Sequence, residues 1–331
     1  MIQHVEVRGD GRGALDVSWE QAGDGPVDVA VGPTPDHIDH GRPVAVVEGS
    51  SVSLSDLGAG RHYVSVAPAG GGSAVVAAER LLPLEGALNF RDLGGYSTAD
   101  GGRTRWGLVF RSDALHRLTV EDIALVGRLG LRVVYDLRRD AERDRAPSAL
   151  PDDVRRVLVS IGGSAGETRE ITDRILDGEF EAIDDTFLVD AYRMMADSGA
   201  TTFGRVLTGL TDPDGLPALF HCSAGKDRTG MTAALLLTVL GVDETTVLDD
   251  YELSASYYTD QQMDRLRPKF DEAGVDIERF RGLFGAPRRA MVSLLADLHE
   301  RYGTVERYLV DAANVEPEVI NELRARLVQP A

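Results

Sequence analysis

The sequence has 331 residues, of which only one is cysteine, and no apolar run approaches the ~18 residues that a membrane span requires. The lone Cys222 excludes an internal disulfide and any site built from several thiolates. Seven scattered histidines form no HExxH pair, so neither a metal site nor a cofactor is expected. Positive charge is also scarce: 35 Lys and Arg stand against 54 Asp and Glu, a net charge of −19. That balance argues against sequence-independent binding to nucleic acid and against stable association with anionic membranes. The start MIQHVEVRGD carries no apolar signal core. A cytoplasmic chain is therefore expected, with export by another route left open. What the chain does have is 43% hydrophobic and 27% charged residues, enough for a packed core in one large or two ordinary domains.

Residues 1–80 are rich in Gly, Val, Ala and Ser. Short alternating runs at His4–Arg8, Ala14–Trp19, Val27–Val31, Ala45–Val47, Ser51–Leu54, His62–Val66 and Ala74–Ala77 are separated by turn residues such as Gly70-Gly71-Gly72. Strands at that spacing with almost no helical pattern predict a small all-β sandwich over 1–80, resembling a fibronectin type III module. From about residue 86 to 331 the pattern becomes α/β. Apolar strands are expected at Leu108–Phe110, Arg132–Tyr135, Val157–Ile161 and Ala218–Phe220, with helices between them and an almost wholly helical stretch after Thr229.

The chemistry concentrates in His221-Cys222-Ser223-Ala224-Gly225-Lys226-Asp227-Arg228-Thr229-Gly230. A buried strand leads into this segment, and the apolar helix Met231–Leu240 leaves it and stops at Gly241. Such a unit aims backbone N–H groups and the positive helix end into one concavity suited to a phosphate dianion. The C-x5-R spacing lets a Cys222 thiolate sit below phosphorus while the Arg228 guanidinium forks onto two oxygens. The same N–H groups favour the thiolate form, and Thr229 can donate its hydroxyl to it. Two blander readings compete. A buried cysteine is usually a small core residue, but the glycines, the arginine and the flanks all fit a phosphate loop. A nucleotide-binding Walker A loop fails, because Asp227 follows Lys226 where Ser or Thr is required and Phe220 occupies the first glycine position.

The segment HCSAGKDRTG resembles the signature of the cysteine-dependent phosphatases, in their bacterial tyrosine/serine and dual-specificity branch. Asn89-Phe90-Arg91-Asp92-Leu93-Gly94-Gly95-Tyr96, Phe110-Arg111-Ser112-Asp113-Ala114-Leu115, Tyr135-Asp136-Leu137-Arg138 followed by Glu142, and Tyr302–Leu309 match that branch as well. The resemblance spans about residues 86–328. It implies a metal-independent phosphatase with a central sheet flanked by helices and a phosphocysteine intermediate. Carried over, it makes Cys222 the nucleophile and Arg228 the phosphate clamp. The backbone N–H groups of residues 223–228, including those of Ser223, Ala224, Gly225 and Lys226, form the cradle, while His221 helps hold the thiolate. No Trp-Pro-Asp loop exists here, and Asp212-Pro213-Asp214-Gly215 reads as a plain turn. The resemblance to the bacterial branch implies an aspartate within the loop, here Asp227, as a candidate general acid, with Asp136 of the Asp-Leu-Arg motif as another and a third acid left open.

Arg111, Arg138 and Asp92 either line the site or form buried ion pairs. Asn89 and Gly94-Gly95 are expected to shape a turn beneath the loop. The stretch 250–287, with Tyr257, Met263, Phe270, Phe280 and Phe284, is either a lid or ordinary core. The substrate stays open among a phosphorylated protein, a phosphoinositide and a small phosphate monoester, with Lys226 as the candidate contact for a polyanion. A phosphate-binding module without catalysis is the rival class. The partner of the N-terminal segment is unknown.

Overall fold

Leu15, Val17 and Trp19 are buried while Asp16, Ser18 and Glu20 are exposed, the period-two pattern of a strand with one face on a core. The computed structural model describes residues 2–9, 13–58, 60–162, 171–178 and 187–330. Within it the first seven strands are β1 (Ile2–Gly9), β2 (Leu15–Gln21), β3 (Val27–Gly32), β4 (Ala45–Val47), β5 (Ser51–Leu54), β6 (Tyr63–Pro68) and β7 (Val75–Ala78). They lie where the alternation predicts them, within a residue or two. They form two antiparallel sheets, ordered β1-β2-β5 and β4-β3-β6-β7. Val17 and Trp19 of the first and Val29, Val64 and Val66 of the second share one apolar core.

Beyond residue 80 come β8 (Arg91–Asp92), β9 (Arg103–Thr104), β10 (Val109–Ser112), β11 (Val133–Asp136), β12 (Arg155–Leu158), β13 (Ala218–His221) and β14 (Val328–Gln329). The central sheet is ordered β12-β11-β13-β10-β8, parallel except for β8. β10, β11 and β13 are buried throughout, as parallel strands covered on both faces must be. Alternate residues serve opposite sides. Val133, Tyr135, Ala218 and Phe220 join a core built with the helices Ala200–Gly209, Arg228–Val239 and Arg288–Tyr302, whereas Phe110, Val134 and Leu219 join another with Leu115 and Val126. Pairing sets Ser112, Asp136 and His221 side by side at the carboxyl ends of their strands, where open α/β sheets bind ligands.

The N-terminal sheets are held against this body by a buried ion pair between Arg61 Nη1 and Asp92 Oδ2 at 2.6 Å. Arg61 also lies over the rings of Tyr63, Trp106 and Phe110. Trp106 Nε1 donates to the Val76 carbonyl at 3.0 Å. Asp92 thus serves the join and its own turn, accepting the N–H groups of Gly94 and Gly107 at 2.7 and 2.8 Å. Among the described residues no helix is long and apolar enough to cross a membrane.

Candidate active site

Strand β13 ends at His221, and the helix Arg228–Val239 starts seven residues later, leaving Cys222–Asp227 as the loop between them. Three successive loop carbonyls are held from outside. Ser223 O accepts from Ala114 N at 3.1 Å, Ala224 O from Asn89 Nδ2 at 3.1 Å and Gly225 O from Arg111 Nη2 at 2.8 Å. In a trans peptide each carbonyl is antiparallel to the next N–H. The N–H groups of Ala224, Gly225 and Lys226 therefore face the opposite side, as an anion cradle requires. Gly225 has φ +68°, and a Cβ there would sit 2.5 Å from the Ser112 carbonyl oxygen, so both backbone geometry and space demand glycine.

Cys222 is buried at 1% exposure. Arg228 beside it is aligned by Glu142, whose two oxygens each accept one guanidinium N–H at 2.8 Å. Glu142 also accepts from Ser223 Oγ and from Arg139 N. Burial pushes the Glu142 carboxyl up, but the Arg228 fork and Ser223 outweigh it and hold the group well below the usual carboxylate range. Burial likewise works against the Arg228 cation, and Glu142 and Cys222 more than restore it, leaving its pKa raised. Thr229 Oγ1 is buried and has no hydrogen-bond partner among the described residues, so its hydroxyl is free to take one.

Asp227 is the N-cap residue of the helix, but its side chain makes no capping bond. Oδ1 instead accepts from Tyr192 Oη at 2.8 Å and from Lys226 Nζ at 3.2 Å, and the side chain is 26% exposed. The other aspartate candidate is differently placed. Asp136 takes a fork from Arg138, Nε to Oδ1 at 2.9 Å and Nη2 to Oδ2 at 2.7 Å. Burial raises the Asp136 carboxyl, yet the Arg138 bonds and the charge of His221 bring it below its ordinary value. A carboxylate so engaged holds Arg138 and the start of the next segment in place.

Three of the sequence expectations need correction. Arg111 does not line the concavity. It is fully buried, pairs with Asp250 Oδ2 at 2.5 Å and braces Gly225 from beneath. Burial, with Arg91 close by, pushes the Arg111 cation down to about 10. Arg91 reaches the same Asp250 at 3.1 Å, so one carboxylate joins two strands to the helix Glu244–Ser254. Lys226 is not placed to contact a polyanion either. It is 7% exposed, and besides Asp227 its ammonium donates to the carbonyls of Leu283 at 2.6 Å and Gly285 at 2.9 Å. Three donors meet three acceptors, leaving none for a second phosphate. His221 cannot hold a thiolate by charge at neutral pH, because burial pushes its pKa down to about 4. Its Nδ1 lies 3.2 Å from the Cys222 carbonyl oxygen, and Nε2 lies 3.6 Å from Asp136 Oδ2.

In the stretch 250–287, Met263, Phe270, Phe280 and Phe284 pack together with Ile175 in a small cluster of their own, while Tyr257 lies apart under Arg91. Asp212–Gly215 is a turn closed by Gly215 N donating to Asp212 O at 2.9 Å. Sequence reasoning missed the roles of Glu142 and Tyr192. Glu142 stood within a matched motif without an assigned task, and no signal marked Tyr192.

Compared with known proteins, residues 82–329 match the model of the tyrosine phosphatase family. The triple specificity protein phosphatase PtpB of Mycobacterium tuberculosis is 29% identical over 283 residues, covering 74% of this chain and 98% of that protein. A tyrosine-protein phosphatase of Nostoc commune is 30% identical over 223 residues, covering 66% and 74% respectively. The crystal structure of P. aeruginosa TpbA aligns over 65% of this chain and 92% of that one, at 17% identity and a TM-score of 0.28, too slight a likeness to argue from.

Proposed function

Because the chain belongs to the tyrosine phosphatase family and is a phosphoric monoester hydrolase, we propose that its reaction runs through Cys222, Arg228 and Asp227. In the first step the Cys222 thiolate attacks phosphorus in line, the bond to the ester oxygen breaks, and that oxygen takes a proton from Asp227. Arg228 and the N–H groups of the loop carry the charge on the equatorial oxygens. In the second step water attacks the phosphocysteine, gives a proton to Asp227 and releases inorganic phosphate and the thiolate, whose departure the Thr229 hydroxyl eases. The observation that carries this reading is the junction of a buried Cys222 with a guanidinium aimed by a bidentate carboxylate. Asp136 is ranked behind Asp227, since both its oxygens are engaged by Arg138.

The substrate reading is a phosphotyrosine- or phosphoserine-type monoester on a protein. The engagement of Lys226 by backbone carbonyls favours one phosphate over a polyphosphorylated headgroup. Residues 1–80 are read as a fibronectin type III-like β-sandwich preceding a phosphatase domain over 86–331, supported by the three-plus-four strand arrangement around one core. The excess of acidic over basic residues supports a chain without stable association with anionic membranes.

Hydrolysis of an aryl phosphate should persist in a chelator, be inhibited by vanadate and vanish in Cys222→Ser. Full activity in that variant, or strict dependence on an added metal, would overturn the mechanism. A panel of phosphopeptides, phosphoinositides, sugar phosphates and nucleotides at equal concentration tests the substrate class.

A further inference from the structure

We propose that Tyr192, backed by Tyr251, is a positioning residue that decides which oxygen of Asp227 carries the transferable proton. The inference rests on Asp227 being the acid. Two donors converge on Oδ1, the Tyr192 hydroxyl at 2.8 Å and the Lys226 ammonium at 3.2 Å, while among the described residues Oδ2 accepts nothing. A carboxylate oxygen has two lone pairs, and both on Oδ1 are occupied. A proton placed there would evict one of these donors. The ammonium has no acceptor function with which to turn about, so protonation is directed to Oδ2.

The hydroxyl is also fixed in its donating sense. Tyr192 and Tyr251 oxygens are 2.8 Å apart, and since the Tyr192 proton points to Asp227, Tyr251 is the donor between them. The result is a one-way chain from Tyr251 through Tyr192 to Oδ1. Both phenols are buried, Tyr192 at 0% and Tyr251 at 1% exposure, and their rings meet edge to face at 6.3 Å, so neither hydroxyl swings into water. Burial, with the Asp227 charge, pushes both phenols well above their ordinary values, so they stay protonated through the working range. Tyr192 sits in the helix Phe187–Ser198, whereas Asp227 belongs to the loop, so the clamp ties the acid to a second element.

The test compares Tyr192→Phe, Tyr251→Phe and Asp227→Asn in the full chain on an alkyl or tyrosyl phosphate and on a nitrophenyl phosphate. Tyr192→Phe should lose about tenfold in kcat/KM on the poor leaving group and less than about threefold on the activated one, with Tyr251→Phe milder in the same sense. The basic limb of the Tyr192→Phe pH profile should move upward, because the anion has lost a donor. Combined with Asp227→Asn, the change should cost nothing more. Equal losses on both esters with an unmoved limb, or losses that multiply in the double variant, overturn the positioning role. If Asp227→Asn itself fails to distinguish the esters, the acid assignment falls and this inference falls with it. Tyr251→Phe keeps the test decisive should Tyr192→Phe not fold, since its loss must show the same leaving-group dependence.

Discussion

A guanidinium on a long flexible stem is a good anion ligand only once its fork is aimed, and at Arg228 Glu142 does the aiming. Replacing Glu142 by Gln keeps the shape but removes the bidentate charge. We expect kcat/KM to fall on the order of 10²-fold, equally for poor and activated leaving groups, because the change acts through phosphate orientation and not proton transfer. A loss confined to poor leaving groups would refute that division of labour. The pH sign follows from the depressed Glu142 carboxyl. Its contribution to stability is fully present above the ordinary Glu value of 4.5 and is lost as pH falls through the lower folded value. The melting difference between the parent and Glu142→Gln should therefore be flat above about pH 5 and shrink in stronger acid. At this scale the sequence was legible where chemistry sits within ten consecutive residues, as with Cys222 and Arg228. Glu142 lies 86 residues from Arg228 and Tyr192 lies 35 from Asp227, and no local period records such pairings.

Among the elements, the N-terminal strands were readable from short apolar or alternating runs between turn residues, most plainly in β2, where every second residue is buried. The two-residue strands β8, β9 and β14 were not, being too short to show any period. The segment Arg281–Gly285 shows what a composition-based reading leaves out. A lysine in an anion loop was expected to face ligand, yet here it grips the carbonyls of Leu283 and Gly285. Hydrogen bonds to a charged group contribute about 1.5–3 kcal/mol each, so Lys226→Met should loosen this segment. Amide exchange of residues 281–285 should quicken at least about tenfold while strand β13 keeps its protection. Unchanged exchange would mean that the apolar cluster around Phe270 and Phe284 holds the segment unaided. The same variant should lose no more on multiply than on singly phosphorylated substrates.

For the whole molecule the informative contact is the Arg61–Asp92 pair, 6% and 0% exposed at its side chains. Removing one member of a buried pair typically costs about 3–5 kcal/mol, since the other is left without a partner in a dry site. Deleting residues 1–80 does this to Asp92 and uncovers the Trp106 face as well. We expect the fragment 81–331 to fold with a markedly lower melting temperature, and Asp92→Asn to recover part of the loss in the fragment while destabilising the full chain. A fragment as stable as the full chain would show that the join contributes little. The change from strand-only to α/β pattern near residue 80 is what the sequence offers for such a division. Asp92 stands in a matched motif as a candidate for a buried ion pair, but no sequence signal marks Arg61 as its partner, because the two are brought together only by the fold.

Residues 103–107 carry a consequence for the order in which the molecule can be completed. Trp106 binds the carbonyl of Val76, made earlier, while Arg105 N donates to Leu327 O at 2.7 Å and Thr104 pairs with Val328, both made more than 200 residues later. On the ribosome this clasp acquires its first partner as soon as it emerges and waits for its second until residues 327–329 have been synthesised. During that interval β9 presents an open edge, and the nascent chain must keep it from pairing with a neighbour's. A chain lacking residues 327–329 would leave that edge open permanently, so removal of β14, only two residues long, is expected to lower the soluble yield.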